Sequence, residues 1–276
     1  MIQGYRMAGP PPHGEPPAAP PPPERAWPPW LGFLTLLAVI VVTSLLGATV
    51  ISASGADPDN TPAWVDLTAT AILQAGLIGG ALLAARMIMP VHPWQFGLRP
   101  TQFKSAVVWT LVALVAFFTF AVLWATLIEK PEQTTAEDLG VTESNLALIA
   151  AGVMFVVTAP IAEELFFRGF FYGSLRSSLP VALAALINGL VFGLIHAGSG
   201  LSAVPALILF GVILCLLREK TGSLYPCIAL HAANNTFAYA GLTDVDPGIA
   251  VGFGAFMLLA CSLAPRIAWR RPPQPA

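Results

Sequence analysis

Glu163, Glu164, Arg168, His196 and His231, with the amides of Asn188, Asn234 and Asn235, interrupt otherwise apolar runs in the second half of the chain. Glu164 and Arg168 are four residues apart, so on a helix they share a face in the favourable acid-first order and can neutralise each other. Glu163 points roughly 100° away on the same helix and is left without that contact. His231 and Asn235 share a face at the same spacing, and Phe192 and His196 repeat it one run earlier. A carboxylate beside an imidazole can act as a general base on water. A second imidazole and a carboxamide on one face can donate to a developing oxyanion. These are the parts for attack of water on an amide carbonyl, and they need no Ser or Cys nucleophile.

The elements that must carry these groups follow from composition. Apolar residues make up 56% of the 276 and charged residues only 10%, too few polar side chains to cover a soluble surface. The chain is therefore expected to be all-α, a polytopic membrane helical bundle. Candidate helices fall at 30–54, 64–90, 105–128, 145–175, 180–197, 203–218, 224–241 and 248–268. That gives about eight transmembrane helices. Lys and Arg collect on the inner side of membranes. With the N-terminus inside, twelve of the 13 basic residues lie on inner segments and only Lys130 lies outside, so both termini are expected to be cytoplasmic. This predicts an integral, multi-pass protein, in the cell membrane if the source is prokaryotic.

Ionisable groups within the bilayer cost several kcal/mol and mark functional sites. The first three helices carry essentially none at their centres, whereas the second half carries the set above. With the fourth and fifth helices folded as a hairpin about Ser178–Pro180, Glu163 (sixteen residues before Leu179) meets His196 (seventeen after it) at one level. His231, about eight residues into the seventh helix, reaches a similar depth. The expectation is a wet cavity open to the cytoplasm and lined by Glu163, His196, His231 and Asn235. Pro160 is expected to kink or restart the fourth helix, leaving Glu163 near a helix start. Residues 197–201 are expected to turn inside the membrane.

Four segments follow. Residues 1–29 are Pro-rich and read as a disordered cytoplasmic tail; the apolar run at Trp30 is too long and insufficiently preceded by basic residues to be a signal peptide. Residues 30–144 hold helices one to three and an acidic outer loop at 129–143. Residues 145–241 form the catalytic core, and 242–276 the last helix and a basic tail. Trp27, Trp30, Trp64 and Trp94 are expected to anchor at the interface. Phe166, Phe167, Phe170 and Phe171 are expected to pack or face lipid, Asn188 and Asn234 to make interhelical hydrogen bonds, and Cys215, Cys227 and Cys261 to be buried apolar residues. No basic patch suggests nucleic acid. The expected partners are membrane lipids and a membrane-associated peptide or protein substrate.

At these residues the sequence resembles the CPBP family of intramembrane proteases, which includes type II CAAX prenyl proteases and bacteriocin-processing, Abi-like members. The EExxxR motif reads Glu163-Glu164-Leu-Phe-Phe-Arg168, FxxxH reads Phe192-Gly-Leu-Ile-His196, and HxxxN reads His231-Ala-Ala-Asn-Asn235. The resemblance covers about residues 145–240. It implies an endopeptidase in which Glu163 activates water with help from His196, and His231 and Asn235 stabilise the oxyanion. Glu164, Arg168 and Phe192 are then supporting residues. The family has been described both as metalloprotease and as glutamate-type protease. Zinc is therefore the one candidate cofactor, with Glu163, His196 and His231 as candidate ligands, although the HExxH pattern is absent. The alternatives at this stage are an inactive scaffold or bacteriocin-immunity protein that keeps the fold, and a transporter using the polar cavity.

Overall fold

The computed structural model describes residues 27–57, 61–127, 144–243 and 247–268. Residues 1–26 of the tail expected over 1–29, the acidic loop at 129–143 and the residues after 268 lie outside these. Among the described residues the protein is all-helical. The helices are α1 (Pro29–Ser54), α2 (Ala63–Ile88), α3 (Phe103–Leu127), α4 (Asn145–Arg176), α5 (Val181–Ile195), α6 (Val204–Thr221), α7 (Tyr225–Leu242) and α8 (Pro247–Ala268). α1 to α4 and the segment Leu201–Thr221 are each long and apolar enough to cross a membrane. Large apolar side chains face outward along α1 (Leu34, Leu37, Leu45), α3 (Leu111, Val115, Leu123) and α8 (Val251, Leu259). Helices that are apolar all round need an apolar solvent, so this is an integral, multi-pass membrane protein.

α4 departs from the expected break at Pro160. It runs unbroken for 32 residues, with π-helical turns at Val153–Thr158 and Leu165–Phe171 on either side of the Ala159–Glu164 segment. A proline lacks the N–H that an α-helix needs and its ring presses on the carbonyl four residues back. The wide turn before it removes the conflict, with Ala159 N–H donating five residues back, to the Met154 carbonyl. Glu163 is therefore in mid-helix and does not sit at a helix start.

Gly189 of α5 and Gly211 of α6 let these two backbones touch. A Cβ on Gly211 would stand 2.7 Å from the Gly189 Cα. Small residues at such a crossing replace the hydrophobic drive that helices lose in lipid. After α5 the chain turns through two 3-10 segments, Ala197–Ser199 and Leu201–Ala203, where re-entry was expected. α6 stops at Gly222, which takes the left-handed conformation (φ 64°) that favours glycine. The turn into α7 is then tied to the α2–α3 connection, since Leu224 N–H donates to Gly97 O at 2.8 Å and the Ser223 hydroxyl to Arg99 O at 2.6 Å.

Phe166, Phe167, Phe170 and Phe171 of α4 are fully buried, so they pack and none faces lipid. Trp27 is also buried, against Phe96 and Phe170 at 4.9 and 5.4 Å between ring centroids. It is a core residue and does not anchor at the interface, because the apolar shelf made by Phe96 and α4 covers it. Trp30 and Trp64 remain exposed.

Candidate active site

The pair Glu164–Arg168 forms at 2.8 Å with neither side chain exposed. The same oxygen, Glu164 Oε1, also receives His231 Nδ1 from α7 at 2.8 Å. The guanidinium reaches the Gly211 carbonyl on α6 at 3.4 Å and lies over the Phe192 ring, 4.3 Å from its centroid. Phe192 also packs against His196 and His231, at 4.7 and 5.9 Å between centroids. The phenylalanine of the second motif is thus a wall shared by one guanidinium and both imidazoles. Phe210 closes the other side of His231 at 5.4 Å.

Glu163 faces the two histidines. Its Oε2 stands 3.8 Å from Nε2 of His196 and 3.8 Å from Nε2 of His231. This is too long for a direct hydrogen bond and short enough for one oxygen atom to touch both partners. Oε2 has no hydrogen-bond partner among the described residues. Both rings are oriented from behind. Nδ1 of His196 lies 2.7 Å from the Phe192 carbonyl, which only accepts, so Nδ1 carries the hydrogen. Nδ1 of His231 donates to Glu164. In the neutral rings, both Nε2 lone pairs therefore face Glu163. Glu163 and His196 keep 18% and 28% of their side-chain area exposed, against 5% for His231, so access is from the His196 side.

Asn235 is placed differently from His231. Its Nδ2 donates to the Phe155 carbonyl at 2.9 Å, and its Oδ1 accepts from Asn234. The wide turn sends the Ala159 N–H to residue 154, and Pro160 has no N–H to offer, so the Phe155 carbonyl has no partner within α4. Asn235 supplies one. At the second wide turn Asn188 adds a donor to a carbonyl already bonded within α4: Phe167 O accepts from the Tyr172 N–H and, at 2.9 Å, from Asn188 Nδ2. Asn188 is thus the interhelical hydrogen bond expected of it, while the bond of Asn234 stays within α7. One further residue was missed in the sequence. Gln74 of α2 accepts from the Thr158 hydroxyl and lies 3.4 Å from Met154 O, so it steadies the first wide turn from outside. The signal was an amide in a helix otherwise nearly free of polar side chains.

Residues 145–237 match the family described as type II CAAX prenyl endopeptidase, Rce1-like. Over this segment the chain is similar to the Rce1-like family. Two relatives extend the similarity beyond it. The uncharacterized protein YyaK of Bacillus subtilis (strain 168) is 28% identical over 193 residues, which is 65% of this chain and 62% of YyaK. The UPF0177 protein YxdF of Lactococcus lactis subsp. lactis (strain IL1403) is 24% identical over 164 residues, 55% of this chain and 89% of YxdF. The chain therefore spans less than two thirds of the length of YyaK. No solved structure matches it. The Rce1-like family is a protease family.

The Rce1-like segment holds the donor types that zinc takes. However, ligand atoms about 2.0 Å from a tetrahedral ion stand about 3.3 Å apart, and Oε2 is 3.8 Å from each imidazole nitrogen. No group of three His, Cys, Asp or Glu among the described residues is arranged to hold an ion. The set as placed does not fit the metal, and the chemistry below is derived from the side chains.

Proposed function

We propose that this protein is an intramembrane endopeptidase that cleaves membrane-associated peptides or proteins with water activated by Glu163. The observation that carries this is the Glu163 Oε2, which has no hydrogen-bond partner among the described residues and faces, at 3.8 Å, two imidazole nitrogens whose rings are fixed from behind. A water in contact with Oε2 and His196 Nε2 gives its proton to the Glu163 carboxylate as its oxygen adds to the scissile carbonyl. The negative charge on the former carbonyl oxygen is met by His231 in its imidazolium form, through Nε2–H, and by the second N–H of Asn235. Collapse breaks the C–N bond, and protonated Glu163 returns its proton to the leaving amine. The products are a carboxylic acid and an amine, which become a carboxylate and an ammonium once the acid's proton passes to the amine, and Glu163 is restored.

Glu164 and Arg168 act through His231. The carboxylate accepts from Nδ1–H and so aims Nε2 at the site, while Arg168 offsets the carboxylate's charge. The basic residues favour an inner-side opening with both termini cytoplasmic, and residues 145–241 form the catalytic core between 30–144 and 242–276. The test is a comparison of protein termini in membranes with and without this protein. New termini within or beside membrane segments are expected only where the protein is present. Indistinguishable sets would reject proteolysis.

A further inference from the structure

Away from Glu163, two concavities adjoin at the end of the bundle where α3 begins and α6 ends. The first is an apolar crevice of about 220 Å³ between α3, α7 and α8, walled by Val107, Leu111, Ala229, Leu258 and Cys261. The second is polar and is lined by Arg99, Gln102, Ser105 and Lys220. Pro100 and Thr101 line both, so one opens beside the other. The only charged residues lining either are basic, and neither makes an ion pair among the described residues. Glu219, next to Lys220 in sequence, is engaged by Arg176 and Tyr172. Arg99 donates through Nε to Gly222 O, which fixes the guanidinium while leaving both Nη groups for a ligand. Lys220 Nζ is held over the Trp109 ring at 5.1 Å.

We propose that this composite site binds one anionic phospholipid, with its phosphate between Arg99 and Lys220 and an acyl chain in the crevice between α3, α7 and α8. The charge pattern selects the occupant. A neutral apolar chain alone would gain nothing from two exposed cations at the mouth, and a free anion would gain nothing from the crevice. Basic pockets between helices at the inner face suit anionic headgroups, and a guanidinium suits a phosphate's paired oxygens. The site shares no residue with the catalytic set, so the inference stands apart from the catalytic reading.

Cys261 reports on the crevice directly, because Cys215 and Cys227 are fully buried and Cys261 is partly exposed. The experiment follows N-ethylmaleimide alkylation of Cys261 in the purified full chain, in detergent, with phosphatidylglycerol, phosphatidylcholine or inorganic phosphate added. Phosphatidylglycerol is expected to slow alkylation at least threefold relative to phosphatidylcholine, and phosphate is expected to leave it unchanged. Lys220→Gln and Ser105→Glu, both at the polar concavity, should each abolish the difference between the two lipids, and Lys220→Arg should keep it. Circular dichroism confirms that each variant is folded. Equal protection by both lipids, protection by phosphate alone, or undiminished selectivity in both Lys220→Gln and Ser105→Glu would overturn the proposal.

Discussion

Glu164 and Glu163 are neighbours in sequence and opposites in environment. Glu164 Oε1 serves both Arg168 and His231 inside a fully buried cluster. Removing one partner of a buried ion pair costs about 3–5 kcal/mol, because the other charge is left uncompensated. Glu164→Ala is therefore expected to lower stability by about that much in denaturant titrations of the protein in micelles. Glu163→Gln, which removes a charge with no hydrogen-bonded partner at Oε2, is expected to leave stability unchanged or raise it. Equal losses in the two variants would contradict the division of roles. The sequence predicted the self-neutralising pair and the leftover acid, since both follow from a spacing of four. It did not predict the His231–Glu164 contact, which depends on how α4 and α7 are rotated about their axes, and no spacing within one helix encodes that.

At the scale of the element, α4 is held in an unusual form by groups from other helices. Pro160 removes an N–H, the wide turn moves the hydrogen bonds to a five-residue step, and Asn235 takes up the freed Phe155 carbonyl. Pro160→Ala restores the N–H and relieves the ring, and an interior proline costs a regular helix about 3 kcal/mol relative to alanine. We expect Pro160→Ala to be at least as stable as the wild type in thermal unfolding, yet at least tenfold slower in cleavage. The reason is that an α-helical turn there would rotate Glu163 away from the imidazoles. Asn235→Ala leaves a buried carbonyl without a donor and is expected to cost about 1–3 kcal/mol in the same measurement. Pro160 was legible as an anomaly in an overlong apolar run. That it would be absorbed, not broken, was not legible, because the compensating amides sit on α2 and α7.

Across the whole molecule, the apolar exterior and the helices of the described residues were readable from hydropathy, with ends that differ from the expected ones by a few residues. Trp27 was hidden because a single aromatic at the edge of a Pro-rich stretch carries no periodicity. The crossing of α5 and α6 was also silent in the sequence, although it brings Gly211 O to the Arg168 guanidinium. Gly211→Ala must push these helices apart, and we expect a loss of about 1–3 kcal/mol, read as a lowered unfolding midpoint in detergent. All of this architecture serves to hold one carboxylate before two imidazoles. The most direct test reconstitutes the wild type and Glu163→Gln in lipid vesicles, at matched folded amounts, with a substrate found by the comparison of termini. The account predicts that Glu163→Gln cleaves at least about a thousandfold more slowly, the scale of a lost general base. Cleavage within a few-fold of the wild type would contradict it.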